Sequence, residues 1–120
     1  MSRTRSSAKA AGAKFERDVA DWLAAHVDDR IDRRVKTGAK DKGDIAGIRH
    51  MGARVVLEAK NYGGVFHVGT WLSEADVERG NDDALIGAVV AKRRGTTDPG
   101  DQVVFMTLRD LAALLTGERP

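Results

Sequence analysis

Gly43-Asp44-Ile45 is followed, after a short gap, by Val55-Val56-Leu57-Glu58-Ala59-Lys60. Both stretches read as strands. Strand side chains alternate faces with period two. Glu58 and Lys60 therefore share a face, while Leu57 and Ala59 point into the opposite layer. An acid and an amine on one face of an otherwise apolar strand suit metal-dependent cleavage of a phosphodiester. That reaction needs a nucleophilic water, neutralised charge on the phosphoryl oxygens and a stabilised leaving alkoxide. A divalent metal held by carboxylates supplies the second and helps with the other two. Magnesium prefers a few hard oxygen ligands and keeps several waters. Asp44, Glu58 and a backbone carbonyl at the strand end would make such a site. A lysine beside the metal can orient or deprotonate the attacking water. The metal and burial lower its pKa, and the carboxylates raise it.

These residues have to be positioned by the elements around them. A helix is expected from Ala8 to Val27, with Phe15, Val19, Trp22, Leu23 and His26 at helical spacing. On a wheel of ~100° per residue, Lys14, Arg17, Asp18, Asp21 and Asp28 lie away from the apolar face. Glu16 is the one charged residue on the face that should meet the sheet. A buried carboxylate without a partner costs several kcal/mol. Glu16 should therefore meet a cation, a metal or the edge of a cleft, or else curl out to water or pair with an arginine at the core's edge.

Ile31 to Lys36 alternates like a strand, and Thr37 to Gly43 reads as a flexible basic loop. Asp44 to Arg49 and Ala53 to Lys60 are strands, and His50-Met51-Gly52 suits a three-residue hairpin loop. Pairing Arg49 with Ala53 places Asp44 opposite Glu58, where two carboxylates repel unless a cation sits between them. A two-residue loop would instead place Asp44 opposite Ala59. A second, more polar helix is expected from Thr70 to about Asp83, capped by Thr70 or Ser73. Strands follow at Ile86–Lys92 and Gln102–Met106. Thr107 then caps a C-terminal helix bearing Leu108, Leu111, Ala112, Leu114 and Leu115, which stops at Gly117. The order predicts an α/β fold with a mixed central sheet flanked by helices. Residues 1–7 are expected to be a disordered basic N-terminus, and residues 8–120 a single domain.

Composition narrows the function. Cysteine is absent, which removes disulfides, thiolate zinc sites and thiol nucleophiles and fits a reducing, intracellular setting. No apolar run approaches the ~20 residues that span a bilayer, and no apolar core follows the basic start to make a secretory signal. A cytoplasmic protein is expected. His26, His50 and His67 lack metal-ligand spacing, and no Gly-x-x-x-x-Gly-Lys loop is present. Trp71, in an amphipathic helix, reads as core or rim. Net charge is only +2. From Arg30 to Arg54, however, the bases outnumber Asp32, Asp41 and Asp44. Such a basic field around a carboxylate pair can attract a phosphate backbone. Arg33, Arg34, Lys36, Lys40 and Lys42 are its expected contacts.

These residues resemble the PD-(D/E)xK nuclease superfamily, and within it the archaeal-type Holliday junction resolvases and their phage relatives. Gly12-Ala13-Lys14-Phe15-Glu16 is similar to a Gly-x-x-Phe-Glu helix carrying an acidic ligand. Arg33-Arg34-Val35-Lys36-Thr37-Gly38 is similar to a strand leading to a Ser-Gly loop. Gly43-Asp44-Ile45-Ala46 resembles Pro-Asp-Ile-Ala, Leu57-Glu58-Ala59-Lys60 resembles Glu-x-Lys, and Val89-Val90-Ala91-Lys92 resembles a later core strand. The resemblance runs from Gly12 to about Lys92 and implies a restriction-endonuclease-like core and a magnesium-dependent endonuclease, with manganese as a possible substitute. It implies Asp44, Glu58 and the carbonyl of Ala59 as metal ligands, Glu16 completing the acidic set, and Lys60 acting on the attacking water. Thr37 would take the place of a phosphate-contacting serine, and Gly43 that of the usual proline, a change that only loosens the turn. Such enzymes are homodimers that cut four-way DNA junctions symmetrically. The superfamily also contains RNA-cleaving members, so RNA, flaps and single strands stay open as substrates, as does nucleic-acid binding without catalysis.

Overall fold

α1 (Arg5–His26) starts at Thr4, whose hydroxyl accepts the Ser7 amide hydrogen at 3.1 Å. The computed structural model describes residues 4–35, 38 and 40–120. The helix thus begins three residues before Ala8, inside the stretch expected to be disordered, because a threonine cap was available there. Its buried face is Phe15, Val19 and Ala20.

The sheet follows. β1 (Asp32–Arg33), β2 (Ile45–Ala46), β3 (Arg49–His50) and β4 (Ala53–Lys60) precede α2 (Val68–Asn81). β5 (Ile86–Ala91), a 3-10 turn at Pro99–Asp101, β6 (Val103–Phe105) and α3 (Leu108–Thr116) complete the order. Strands line up β1-β2-β4-β5-β6, with β3 also paired to β4. β4 and β5 run parallel, joined by α2, and the other pairs are antiparallel. The fold is α/β, with a mixed sheet flanked by three helices. No helix among the described residues is long and apolar enough to cross a membrane.

The two faces of β4 and β5 serve different helices. Leu57, Ala59, Ala88 and Val90 pack with Phe15, Val19 and Ala20 of α1. Val89 and Ala91 pack with Trp71 and Ala75 of α2. Period-two alternation then assigns Glu58 and Lys60 to the α2 side. α2 comes close to the sheet because Gly87 has no side chain. A Cβ there would lie 2.8 Å from the Ala75 carbonyl oxygen.

Several expected boundaries move. β1 is two residues rather than Ile31–Lys36, and Lys36 and Thr37 lie outside the described residues. α2 starts at Val68 behind His67, which makes no side-chain cap, so neither Thr70 nor Ser73 caps it. Ser73 bonds back to the Gly69 carbonyl from inside the helix. The stretch Asp44–Arg49 is two short strands, interrupted at Gly47-Ile48.

The hairpin loop is also shorter than expected. His50 pairs with Ala53 across Met51 and Gly52 alone, and both loop residues have positive φ (53° and 83°), as a two-residue primed turn requires. Carried along the strands, that register would bring Asp44 to Ala59. The interruption at Gly47-Ile48 adds one residue, and Ile45 pairs with Leu57. Asp44 consequently arrives beside Glu58 by way of a bulge.

Candidate active site

Asp44 is buried and held on both sides of Glu58. Its amide donates to the Leu57 carbonyl at 3.1 Å. Its Oδ2 accepts the Ala59 amide hydrogen at 2.8 Å. The turn that delivers it depends on Gly43, at φ 92°, whose amide donates to Asp41 Oδ1 at 2.9 Å. A Cβ on Gly43 would meet Val56 Cγ1 at 2.8 Å. Proline has neither that φ nor an N–H. Glycine here is required by this turn's geometry, and the expectation that it only loosens the turn is corrected.

Glu16 reaches the same cleft from α1. Glu16, Asp44, Glu58, Ala59 and Lys60 line a cavity of about 770 Å³, with Tyr62 among its other walls. Arg33 Nη2 donates to Glu16 Oε2 at 3.4 Å. The arginine partner considered for Glu16 is therefore present, and the residue faces the cleft as well.

Lys60 Nζ sits 2.9 Å from Glu74 Oε2 and 3.7 Å from Glu58 Oε1. Burial works against its charge, but Glu74 and Glu58 outweigh it, and the pKa is raised above the ordinary lysine value. Without a metal, Lys60 is an ammonium. It can donate hydrogen bonds and stabilise negative charge, and it would act as a base only after losing that proton.

Glu58 shows the reverse. Burial raises its pKa far above the carboxylate range, and Glu78 and Asp44 push the same way. Glu78, buried on α2, is raised for the same leading reason. Glu58 Oε2 and Glu78 Oε2 are buried without a hydrogen-bond partner among the described residues. Carboxylate oxygens of Asp41, Glu58 and Glu78 all lie within 4.8 Å of one another. This group has the hard-oxygen chemistry to hold a divalent cation, which would displace the protons that burial keeps on Glu58 and Glu78.

Glu78, Asp41 and Glu74 are the residues that sequence reasoning missed. Trp71, Ala75 and Glu78 are the buried residues of α2, spaced four and then three apart. The wheel that singled out Glu16 would have singled out Glu78. Asp41 sits in a loop and gave no periodic signal.

The basic residues divide. Lys40 and Lys42 are exposed. Arg33 is exposed and lies by Glu16. Arg34 turns away and pairs with buried Asp82 at 3.3 Å, in a small pocket with Arg49 and Arg54. Lys36 and Thr37 lie outside the described residues. His26 stacks on Trp22 with centroids 4.2 Å apart, and its Nδ1 is 2.8 Å from the Trp22 carbonyl oxygen. Trp71 is buried on the face of α2 that packs against Val89 and Ala91 of the sheet.

In comparisons with family models, curated proteins and solved structures, nothing matches this chain.

Proposed function

We propose that this protein is a magnesium-dependent endonuclease that hydrolyses phosphodiester bonds in DNA, with branched DNA, above all the four-way junction, as substrate. The supporting observation is the meeting of Glu16, Asp44, Glu58 and Lys60, drawn from three separate stretches of chain, in one cleft. The choice of branched DNA, and of a homodimer cutting two strands symmetrically, follows from the resemblance of those residues to the junction resolvases.

The donor set fits a hard divalent ion. Asp44, Glu58 and the Ala59 carbonyl would hold it, with Glu16 on the α1 side. Bound there, magnesium supplies neutralisation of phosphoryl charge and a more acidic water. The chain's own residues do the remaining work. The Ala59 amide fixes the Asp44 carboxylate through the 2.8 Å hydrogen bond. Glu74 holds the Lys60 ammonium at the cleft wall, where it donates to the attacking water or to a phosphoryl oxygen. Lys40, Lys42 and Arg33 offer positive charge to the flanking backbone.

The test is a substrate panel of labelled junction, duplex, flap, single-stranded DNA and RNA, incubated with magnesium. Junction cleavage that Lys60→Ala slows by on the order of 10²–10³ is the expected result. Preferential cutting of RNA, flaps or single strands would keep the site and change the substrate. Binding without cleavage in magnesium or manganese would reduce the protein to a binding module.

A further inference from the structure

Among the described residues the protein buries five acids: Asp44, Glu58, Glu78, Asp82 and Asp110. Two of them have an arginine. Asp82 pairs with Arg34 at 3.3 Å. Asp110 pairs with Arg119 at 2.5 Å and also accepts from Thr107 Oγ1 and the Gly87 amide. Asp44 has the Ala59 amide. Glu58 Oε1 has Lys60 at 3.7 Å, its Oε2 has no N–H or O–H donor among the described residues, and its carboxyl meets those of Glu78 and Asp44. Glu78, with 5% relative exposure, has no donor to its Oε2 among the described residues either. The fold thus supplies donors to its structural acids and leaves two facing carboxyl groups with only a shared proton or a cation to neutralise them. Such a pair repels in a low-dielectric interior unless positive charge lies between them.

Asp41 closes this group from a third side. Its Oδ1 accepts the Gly43 amide hydrogen, and its carbonyl accepts from Asn81 Nδ2 at 2.8 Å. Asn81 lies three residues beyond Glu78 on α2. One helix therefore both carries Glu78 and anchors the loop that brings Asp41 to it.

We infer that Glu78, Asp41 and Glu58 form a second divalent-cation position beside the cleft, toward α2, with Glu58, which lines the cleft, shared between it and the Asp44 side. The inference rests on the nuclease reading for the use of that ion. Two ions sharing one carboxylate would let the protein stabilise both the attacking and the leaving oxygen of an in-line displacement.

The experiment is a Mn²⁺ titration of the metal-free full chain at neutral pH, without nucleic acid, with free ion read by electron paramagnetic resonance. Glu78→Gln is expected to bind one ion fewer per chain than wild type, while Asp44→Asn retains the ion held by Glu78. Asp41→Asn, an exposed position, should weaken the same ion roughly tenfold or more, and serves if Glu78→Gln does not fold. Equal numbers and affinities in wild type and Glu78→Gln would overturn the inference, as would a wild type that binds no Mn²⁺ because the two glutamates share a proton. Loss of an ion in Glu78→Gln with no cleavage of any nucleic acid would uphold the position and sink the nuclease reading. Cleavage with unchanged Mn²⁺ binding in Glu78→Gln would do the opposite.

Discussion

Asp44 has two tasks that substitution can separate. Its Oδ2 satisfies the buried Ala59 amide, and its charge faces the cleft. Asparagine keeps an acceptor oxygen there, whereas alanine leaves the amide unmet. Asp44→Asn should therefore melt like wild type and lose cleavage, while Asp44→Ala should also lose about 1–3 kcal/mol of stability. Equal urea midpoints for the two variants would break this argument. Lys60 invites a similar separation. Glu74 and Glu58 hold it as an ammonium, so its contribution is charge and donated hydrogen bonds. Lys60→Ala should cost on the order of 10²–10³ in cleavage rate, the range for losing one preorganised donor. Lys60→Arg, which keeps the charge, should recover a measurable part of it. An arginine variant as dead as the alanine one would point to a lysine that must lose its proton.

The elements that carry these residues were legible in the sequence to unequal degrees. α3 lay open, with Thr107 as cap and Gly117 at φ 82° closing it, because both signals are local. Its leucine stripe could be read equally as core or as an interface: Leu108 and Leu115 are exposed, and Asp110 and Ala113 are buried. The hairpin shows how a correct contact can come from a wrong register. Sequence reasoning placed Asp44 by Glu58 through a three-residue loop. The chain uses a two-residue loop and recovers the offset at Gly47-Ile48. Nothing periodic marks a bulge, so that compensation could not be read in advance. α2 was the opposite case, since Trp71, Ala75 and Glu78 carried their signal openly. What the sequence did not show was how close α2 comes to the sheet, which depends on the bare Cα of Gly87 against the Ala75 carbonyl. Gly87→Ala should push the helix outward, cost about 1–3 kcal/mol and weaken Mn²⁺ binding together with stability. Unaltered stability in chemical denaturation would mean that α2 has room the structure does not show.

For the molecule as a whole, the buried acids make stability depend on pH in an unusual direction. Most of the displaced carboxylates behave ordinarily. The Arg30 side chain and amide hold half-buried Asp28 down to about 2, and Arg17 and Arg79 lower Asp32 and Asp76. A lowered acid contributes stability above its unfolded pKa and loses it as pH falls through the folded one, so all three act in the acid range. Lys60, with its pKa raised, contributes below its unfolded value near 10.5 and loses that only in strong base. Glu58 and Glu78 carry the opposite sign. Their pKa values rise in the folded state, mainly by burial. Between their unfolded value, near 4.5, and the folded one, the native chain holds protons that the unfolded chain has released. Stability must then fall as pH rises, by about 1.4 kcal/mol per pH unit for each proton held. In a chelator, the free energy of urea unfolding should decline from pH 5.5 to pH 7.5, and Glu78→Gln should flatten that slope by removing one partner of the pair. Saturating Mn²⁺ should reverse it, since the cation competes with the protons and binds better as they leave. A chelator-treated wild type whose stability holds level or climbs across that interval, with a slope matching Glu78→Gln, would show that the two glutamates are already neutralised by something other than protons.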